Sequence, residues 1–497
     1  MSRKIEFRVL DISKGEWYTR QDVTPTCPIV LLVAINAGYV HSSFSLRCLV
    51  ANLGDLKERT QCVETDGQQE SPAHLVERLL RHNPGIIGFS VYIWNYAFVL
   101  RVLRLLEIIA PHVKIVVGGP QIVPGDAATR EIFDLADVAI VGEAEECIES
   151  VLKDLWDASP VSSVIHAPPV NVANIQLPYA LYSAADIAHR VIYVETSRGC
   201  PFHCDYCTSA GQGPIRFFPQ EKLWPHFQSL LERGARKFKF LDRSFNHNGS
   251  HGLAVLDFFL DSKRERRLDA LQLHFEFTPY PLNGEWRKRL SAFAPGELHL
   301  EVGIQTWDSG VAARIRRPMD PDVVMESLRF LIHDAKADVH ADLIVGLPGE
   351  TRESISEGFN RLVALRPSEI QVGILKDLPG TAMRRHAQEF RLVFSPEPPY
   401  EILETSTLPF DEMCRLARFA RCWDMIYNHR RFTRSVSLAL ENSASPFEDI
   451  MRLSDAIYAE HRRMHALSPR QIAKALSTLY PTLDMKTALE TDARGEI

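Results

Sequence analysis

From Pro28 onward, short apolar runs of strand length alternate with stretches whose apolar positions recur at helical spacing. The first runs are Ile29 to Ile35, a short one near Thr60 to Glu64, Gly85 to Val91, Lys114 to Val117 and Val138 to Val141. This pattern predicts βα units around a parallel sheet. Ile86 to Ala110 is the most apolar region. Ser90, Asn95, Arg101, Arg104 and Glu107 interrupt it at intervals that a membrane span seldom tolerates, so it reads as strand, loop and helix. Ser159 to Asp186 is rich in Pro, Ser and Ala with little periodicity and reads as a linker. A second series begins at Val191, with strands Val191 to Thr196, Lys237 to Leu241, Leu271 to Phe277, Leu298 to Ile304, Val339 to Val345 and Glu369 to Leu375. Six strand-helix repeats predict a partial (β/α) barrel open on one side, and the chain after about Thr381 is mainly helical. The expected division is an N-terminal extension 1–27, a Rossmann-like parallel-sheet domain 28–158, a linker 159–186, a partial TIM-like barrel 187–383 and a helical extension 384–497.

Composition adds exclusions. The 497 residues are 45% hydrophobic and 24% charged, ordinary globular values, and a formal charge of −7 without a long Lys/Arg run gives no sign of a nucleic-acid partner. Met1 to Arg20 lacks the apolar core and cleavage site of a secretory signal, so a cytoplasmic location without a membrane span is expected. Nine cysteines, an odd number, argue for reduced thiols or metal ligands over a disulfide framework. Cys27, Cys48, Cys62, Cys147, Cys414 and Cys422 are scattered and read as packing residues.

The other three stand together in Glu195-Thr-Ser-Arg-Gly-Cys-Pro-Phe-His-Cys-Asp-Tyr-Cys207, just after the first strand of the second series, at the edge where parallel-barrel active sites gather. Cys200, Cys204 and Cys207 are close enough in sequence for one loop to bring three thiolates onto one iron-sulfur cluster. Three ligands on a four-iron cluster leave one iron open to chelate a cofactor. Zinc is the competing reading, with His203 as a fourth ligand; its adjacency to Cys204 makes joint tetrahedral ligation awkward, and no second Cys or His pair lies nearby.

This spacing, with Tyr206 before the last cysteine, resembles the radical S-adenosylmethionine (SAM) superfamily. The resemblance implies a 4Fe-4S cluster that donates one electron to the sulfonium of SAM, giving methionine and a hydrogen-abstracting 5′-deoxyadenosyl radical. It also implies SAM contacts from Tyr206, from Asp242 at a strand end, from Glu276 and Gln305, and from Arg317 as a fork donor to the methionine carboxylate. Each of the strand-end groups has a plainer reading as a solvated residue, and Arg317 as a surface arginine. His340-Ala-Asp-Leu-Ile-Val-Gly-Leu-Pro-Gly-Glu350 resembles the sixth-strand signature of many members, with Asp342 read as fixing the loop.

Carboxyl ends of the first strands carry Asn36-Ala-Gly-Tyr-Val-His-Ser42, Ser90-Val-Tyr-Ile-Trp-Asn95, Gly118-Gly-Pro-Gln121 and Gly142-Glu143. An open parallel sheet binds its ligand there. Together these loops resemble the cobalamin-binding domain that precedes the cluster domain in a large branch of the superfamily. A subgroup with a helical C-terminal extension is indicated by the Asn-Ala-x-Tyr-x-His-Ser loop and Leu378-Pro-Gly-Thr381, and the resemblance covers about residues 28 to 385. It implies cobalamin contacts from Asn36, Tyr39, His41, Ser90, Tyr92, Trp94, Gly118, Gly119, Gly142 and Glu143. His41 lacks the Asp-x-His-x-x-Gly context of cobalt-ligating histidines, so no protein imidazole on cobalt is expected. The alternative is a sheet that binds another ligand or has lost cobalamin.

The architecture implies C-methylation of an unactivated carbon on a small, natural-product-like molecule, with flavodoxin or ferredoxin as reductant. Its rivals are radical oxidative cyclisation or rearrangement, as in the anaerobic Mg-protoporphyrin monomethyl ester cyclase, and a cobalamin- or redox-sensing binding protein. No further catalytic residue is assigned. The helical tail, with Cys414, Cys422, Trp423 and Tyr427, reads as packing, with a substrate site as the alternative and the barrel's open side as a place it could cap.

Overall fold

The computed structural model describes residues 9–11, 16–18, 29–67, 70–317, 319–441 and 443–495. Of the expected N-terminal extension, Cys27 and all but the antiparallel pair Val9–Asp11 and Glu16–Tyr18 lie outside the described residues. The chain divides into two compact units, one of residues 1–198, 215–241 and 396–399, the other of residues 199–214, 242–395 and 400–497.

In the first unit, strands β1 (Ile29–Asn36), β2 (Thr60–Asp66), β3 (Pro84–Ser90), β4 (Lys114–Gly118), β5 (Val138–Gly142) and β6 (Val164–Ala167) form a parallel sheet of order β2-β1-β3-β4-β5-β6. The strand β6 arises within the stretch read as a linker; four residues are too short to show a period. Side chains alternate across β1, and both faces are covered. Leu31 and Val33 pack with Leu75, Val99 and Leu103 on one side, while Val30 and Leu32 pack with Leu46, Val50 and Leu152 on the other. This explains the unbroken apolar run of β1: burial on both faces removes the alternation of a half-exposed strand. Ile86 to Ala110 forms the expected strand, loop and helix, the helix being Tyr96–Ile109. No helix among the described residues is long and apolar enough to cross a membrane.

A buried ion network ties this unit together. Arg47 is 2% exposed, pairs with Glu64 at 2.6 Å and Asp186 at 3.2 Å, and donates to the Ser43 carbonyl at 2.8 Å. Asp186 comes from the helix Ala184–His189, so this helix is locked to β2 and to the helix Phe44–Ala51. The unit also holds the parallel pair β7 (Ile192–Val194) and β8 (Lys237–Phe240). The hydroxyl of Tyr182 donates to the Tyr193 carbonyl of β7 at 2.7 Å.

The second unit holds β9 (Gln272–Phe277), β10 (Leu298–Gln305), β11 (Asp338–Val345) and β12 (Glu369–Ile374), parallel and in chain order. One face is apolar, from Leu273, Phe275, Leu300, Val302 and Ala341. The other is half-buried and polar, with His274 paired to Glu301 at 3.0 Å, His299 to Asp338 at 3.6 Å and His340 to Glu369 at 3.4 Å. The edge strand β12 is covered from the tail. Asn428 accepts from the Ile370 N–H and donates to its carbonyl, both at 3.1 Å, as a neighbouring strand would. The helical extension packs against the helix Arg352–Leu365, whose Phe359 meets Phe419 and Trp423 edge-on.

After β11 the loop Gly346-Leu-Pro-Gly-Glu350 folds back so that the 2% exposed Glu350 carboxylate accepts the N–H groups of Gly346 and Leu347. Burial pushes this carboxyl up to about 8, against the pull of those N–H groups and the Thr306 hydroxyl. The folded state therefore holds the proton more tightly than an unfolded chain with its ordinary 4.5. Stability contributed here is complete below 4.5, declines as pH rises towards about 8, and is flat above. Glu350→Gln removes the titration and keeps an acceptor, so the stability of the variant relative to the wild type is expected to rise between pH 5 and pH 8. Urea unfolding at several pH values checks this, and a constant difference across that range would refute it.

Candidate functional site

The cluster loop begins at a two-residue antiparallel neck, Ser197–Arg198 against Arg216–Phe217, in the first unit. Both neck arginines reach Glu143 at the end of β5: Arg216 grips its carboxylate directly and donates to its second oxygen at 3.0 Å, and Arg198 lies 3.3 Å away while pairing with Glu145 and Glu195 at 2.7 Å. Burial works to raise the Glu143 pKa, but the Arg216 hydrogen bond, the Val170 N–H and Arg198 outweigh it and hold the group below its ordinary range. Glu143, expected as a cobalamin contact, is thus engaged in fixing the neck.

Beyond the neck, in the second unit, Cys200 and Cys204 are buried and Cys207 is half-buried. All eight described cysteines are free thiols; Cys48, Cys62 and Cys422 are buried and Cys147 and Cys414 half-buried. A turn from the Cys204 carbonyl to the Cys207 N–H at 3.1 Å brings the last two cysteines together. The Ser209 N–H donates to Cys207 Sγ at 3.4 Å, and Cys200 Sγ lies 3.8 Å from the Ser244 hydroxyl. His203, the extra ligand of the zinc reading, points into solvent. No three His, Cys, Asp or Glu groups among the described residues converge on a single-ion position. Three cysteine side chains on one short loop, the last two joined by a turn, are the donor chemistry of an iron-sulfur cluster.

Between Cys204 and Tyr206, Asp205 has no solvent exposure. Arg316 donates to it at 2.6 Å, His386 bonds to it at 2.8 Å, and Arg385 pairs with the same oxygen as His386. Its own N–H donates to the Ile315 carbonyl at 3.1 Å. Sequence reasoning missed this knot. The available signal was a carboxylate inside the Cys204 to Cys207 segment, which is costly to bury unless cations compensate it.

Of the expected SAM residues, Gln305 and Arg317 come together at a β-bulge. The register of β10 against β11 slips between Gly303 and Gln305, and Gln305 takes φ +71°. A Cβ on Gly303 would lie 2.4 Å from Gln305 Nε2 and 3.3 Å from an Arg317 guanidinium nitrogen, so glycine makes room for both. Tyr206 is largely buried, and burial raises its phenol pKa. Asp242 is 1% exposed and accepts from Asn248 at 3.1 Å. Glu276 on β9 pairs with Arg243 at 3.2 Å.

In the first unit, the strand order reverses between β1 and β3, a switch point whose crevice lies beyond their carboxyl ends. The 1% exposed Asn95 holds both ends, donating to the Ile35 carbonyl at 3.1 Å and the Ser90 carbonyl at 3.0 Å while accepting from the Tyr92 N–H. Asn36 donates to Glu64 and to the His41 carbonyl. The side chain of His41 is bonded to the Tyr193 hydroxyl at 2.6 Å, and burial together with Lys239 lowers its pKa, so the ring is neutral near pH 7. Gly119 takes φ +116° with a virtual Cβ 2.5 Å from the Val91 carbonyl, and Gly142 takes φ +104° against the Ala167 carbonyl at 2.2 Å. These two glycines are required by their own backbone packing; Gly118 has no such restriction. What remains open is aromatic. Tyr92 and Trp94 stack with centroids 4.3 Å apart, Trp94 and Tyr39 are each 58% exposed, and the Tyr92 and Ser90 hydroxyls both approach Ser45. A broad, partly apolar ring fits such a floor.

Replacing Asp205 with Ala leaves Arg316, Arg385 and His386 without their shared anion. A loss of about 2–3 kcal/mol is expected, moderated because both guanidiniums reach solvent and rehydrate. Denaturant unfolding of the iron-free protein measures it; an unchanged midpoint would show that the knot does not hold the loop.

Comparisons with known proteins agree with this geometry. The B12 binding domain model matches residues 30–152, the Radical SAM superfamily model residues 194–362, and a protein family of unknown function (DUF4080) residues 388–483. The cobalamin-dependent radical SAM methyltransferase TokK of Streptomyces tokunonensis is 22% identical over 410 residues, 72% of this chain and 59% of that protein, so the chain spans well under the full length of this relative. The cobalamin-dependent radical SAM enzyme OxsB, solved with aqua-cobalamin bound, is similar at TM-score 0.63 and 14% identity over 95% of this chain and 81% of that one. TsrM from Kitasatospora setae, solved with cobalamin and a [4Fe-4S] cluster, is similar at TM-score 0.60 and 15% identity over 86% and 99%. These likenesses show the fold: a Rossmann-like parallel-sheet N-terminal domain, a radical SAM parallel sheet and a helical C-terminal region. The three-cysteine loop lies in the segment that the Radical SAM superfamily model matches and the aromatic switch-point crevice in the segment that the B12 binding domain model matches, so the chain carries a B12-binding segment ahead of a radical SAM segment.

Proposed function

We propose that the protein is a cobalamin-dependent radical SAM methyltransferase acting on an unactivated carbon of a small molecule. One observation carries this reading: a single chain supplies both a three-cysteine cluster loop and a switch-point crevice floored by exposed aromatic rings. The similarity to TokK, a methyltransferase by name, supports methyl transfer over cyclisation. When bound, the cluster and SAM supply one-electron chemistry that generates a carbon radical, and cobalamin supplies the methyl group.

The chain's own residues have definable tasks. Cys200, Cys204 and Cys207 would hold the cluster, with Ser209 N–H and Arg317 donating to its sulfurs. Tyr206, Asp242, Glu276 and Gln305 would line the SAM site, the bulge at Gly303 turning the Gln305 amide out of the regular ladder. Tyr39, Tyr92 and Trp94 would cover the corrin, with Ser90 and Gly118 beside it. His41 stays on Tyr193 as a neutral imidazole and is not a cobalt ligand in this reading. A flavodoxin or ferredoxin would deliver the electron.

Reconstituted anaerobically with iron, sulfide and hydroxocobalamin, the protein is expected to retain about four irons and one cobalt per chain. With a low-potential reductant it should release 5′-deoxyadenosine and methionine from SAM. The Cys200, Cys204, Cys207 to Ala variant should lose iron and keep cobalt. Labelled SAM identifies the acceptor: SAM cleavage without label in any acceptor from a metabolite extract would remove the methyl-transfer reading. Separately, Tyr92→Ala with Trp94→Ala should weaken retention of hydroxocobalamin about tenfold or more, as loss of two large contact faces implies, with iron content unchanged. Unchanged cobalamin binding would place the corrin elsewhere.

A further inference from the structure

Arg317 sits where an arginine has unusual leverage. Its backbone N–H donates to the Ala312 carbonyl at 2.8 Å, which turns the side chain back under the bulge of β10. There one terminal nitrogen donates to the Gly303 carbonyl at 2.6 Å, and the other donates to Cys204 Sγ at 3.6 Å. Its Nε is buried without a hydrogen-bond partner. The Gly303 contact aims the fork: the register against β11 slips directly after Gly303, and the absence of a Cβ there leaves room beside the guanidinium. Tyr206, Cys204 and Tyr280 face the group, and none of them is a carboxylate. The side-chain group that its fork reaches is therefore the Cys204 sulfur. An arginine stays protonated at any pH the protein meets, so this charge is fixed.

We propose that Arg317 is a positioning residue that raises the reduction potential of the cluster held by Cys200, Cys204 and Cys207, through its N–H bond to Cys204 Sγ. The inference rests on the cluster reading above. Reduction adds one electron, supplied by a low-potential one-electron carrier of the flavodoxin or ferredoxin class, to the iron-sulfur unit; no bond to protein forms or breaks and no proton moves, because the guanidinium is protonated before and after. The added negative charge lies mostly on iron and sulfur, and hydrogen bonds to the sulfurs are a recognised determinant of such potentials. A charged donor is about twice as strong as a neutral one, and partial burial limits screening. Lysine cannot reproduce the arrangement, since one ammonium cannot take the Gly303 carbonyl and the sulfur with the geometry of a fork.

The test is a redox titration of reconstituted holoprotein without SAM, followed by electron paramagnetic resonance of the reduced cluster. Arg317→Gln is expected to lower the reduced-to-oxidised ratio at a fixed potential at least tenfold, a shift of about 59 mV for one electron. Arg317→Lys should fall between Gln and wild type. With SAM added, titanium citrate should restore 5′-deoxyadenosine formation by Arg317→Gln, while a flavodoxin donor should not. Iron and sulfide content serve as controls. If Arg317→Gln fails to hold its cluster, Arg317→Lys, which keeps the charge and loses the fork, is the second variant and is expected to show a downward shift of the same sign. An unchanged potential with weakened SAM binding overturns the proposal and returns Arg317 to the methionine carboxylate. A wild-type protein that assembles no four-iron cluster overturns the underlying reading instead, and the two failures are distinguished by iron analysis alone.

Discussion

The cluster loop depends on a buried carboxylate. Asp205 has zero exposure and lies next to Cys204, so it is tolerated only where cations reach it inside the protein. They come from far along the chain: Arg316 ends the turn after the helix Ser309–Arg314, and Arg385 belongs to the segment that follows β12, where the neighbouring His386 also bonds to the carboxylate. The loop has little regular structure of its own. Its path is fixed instead by a charge that three distant side chains must meet, and the thiols on either side inherit that position. Arg317, the next residue after one of these cations, reaches Cys204 because Arg316 has already brought the backbone alongside the loop.

Side chains perform the same service at the carboxyl ends of the first sheet. Asn95 holds the ends of β1 and β3, Glu64 accepts from Asn36, from the Ser43 N–H and from Arg47, and Glu143 grips the two arginines of the neck. These are polar groups in loops that would otherwise leave backbone donors and acceptors unsatisfied next to an apolar core. Their hydrogen-bonding capacity is taken up internally, and the exposed groups beside them include the rings of Trp94 and of Tyr39, the latter under the Arg190 guanidinium. A crevice of that kind selects for a large, flat ligand more than for a small anion.

Much of this was legible in the sequence. Strands buried on both faces announce themselves as apolar runs, and the expected positions of β1 to β5 and β7 to β12 fall within a few residues of the observed ones. The cysteine loop and the aromatic loop followed from spacing and from position at strand ends. What did not follow were pairings over long separations. Asp205 with Arg385 spans 180 positions, and no local pattern marks either partner. The short strand β6 lacked a period. Gly119 and Gly142 were legible as special backbone positions, but sequence alone gave no means of telling a glycine kept for a ligand from one kept for a neighbouring carbonyl. Glu143 illustrates the same limit: a carboxylate at a strand end looks like a ligand contact until the arginines that occupy it are located.

The distinction that matters at the site is therefore between polar groups that are committed and those that retain capacity. On the polar face of β9 to β12 each histidine meets a carboxylate on the next strand, His274 with Glu301, His299 with Asp338 and His340 with Glu369, so this face is a chain of matched pairs. Such pairs satisfy the polar atoms of a sheet surface without creating a strong local field, and burial lowers the pKa of His299 and His340 despite the carboxylates beside them. Near the cysteines the arrangement is different. Asp205 is matched by more cations than one carboxylate neutralises, and Arg317 adds another whose partners are a carbonyl and a sulfur. The surplus of positive charge is local to the one loop that carries Cys200, Cys204 and Cys207, in a protein of net charge −7. A loop destined to hold a group that gains negative charge on reduction requires a compensating field of that sign, and this chain places it there with side chains whose protonation does not depend on pH.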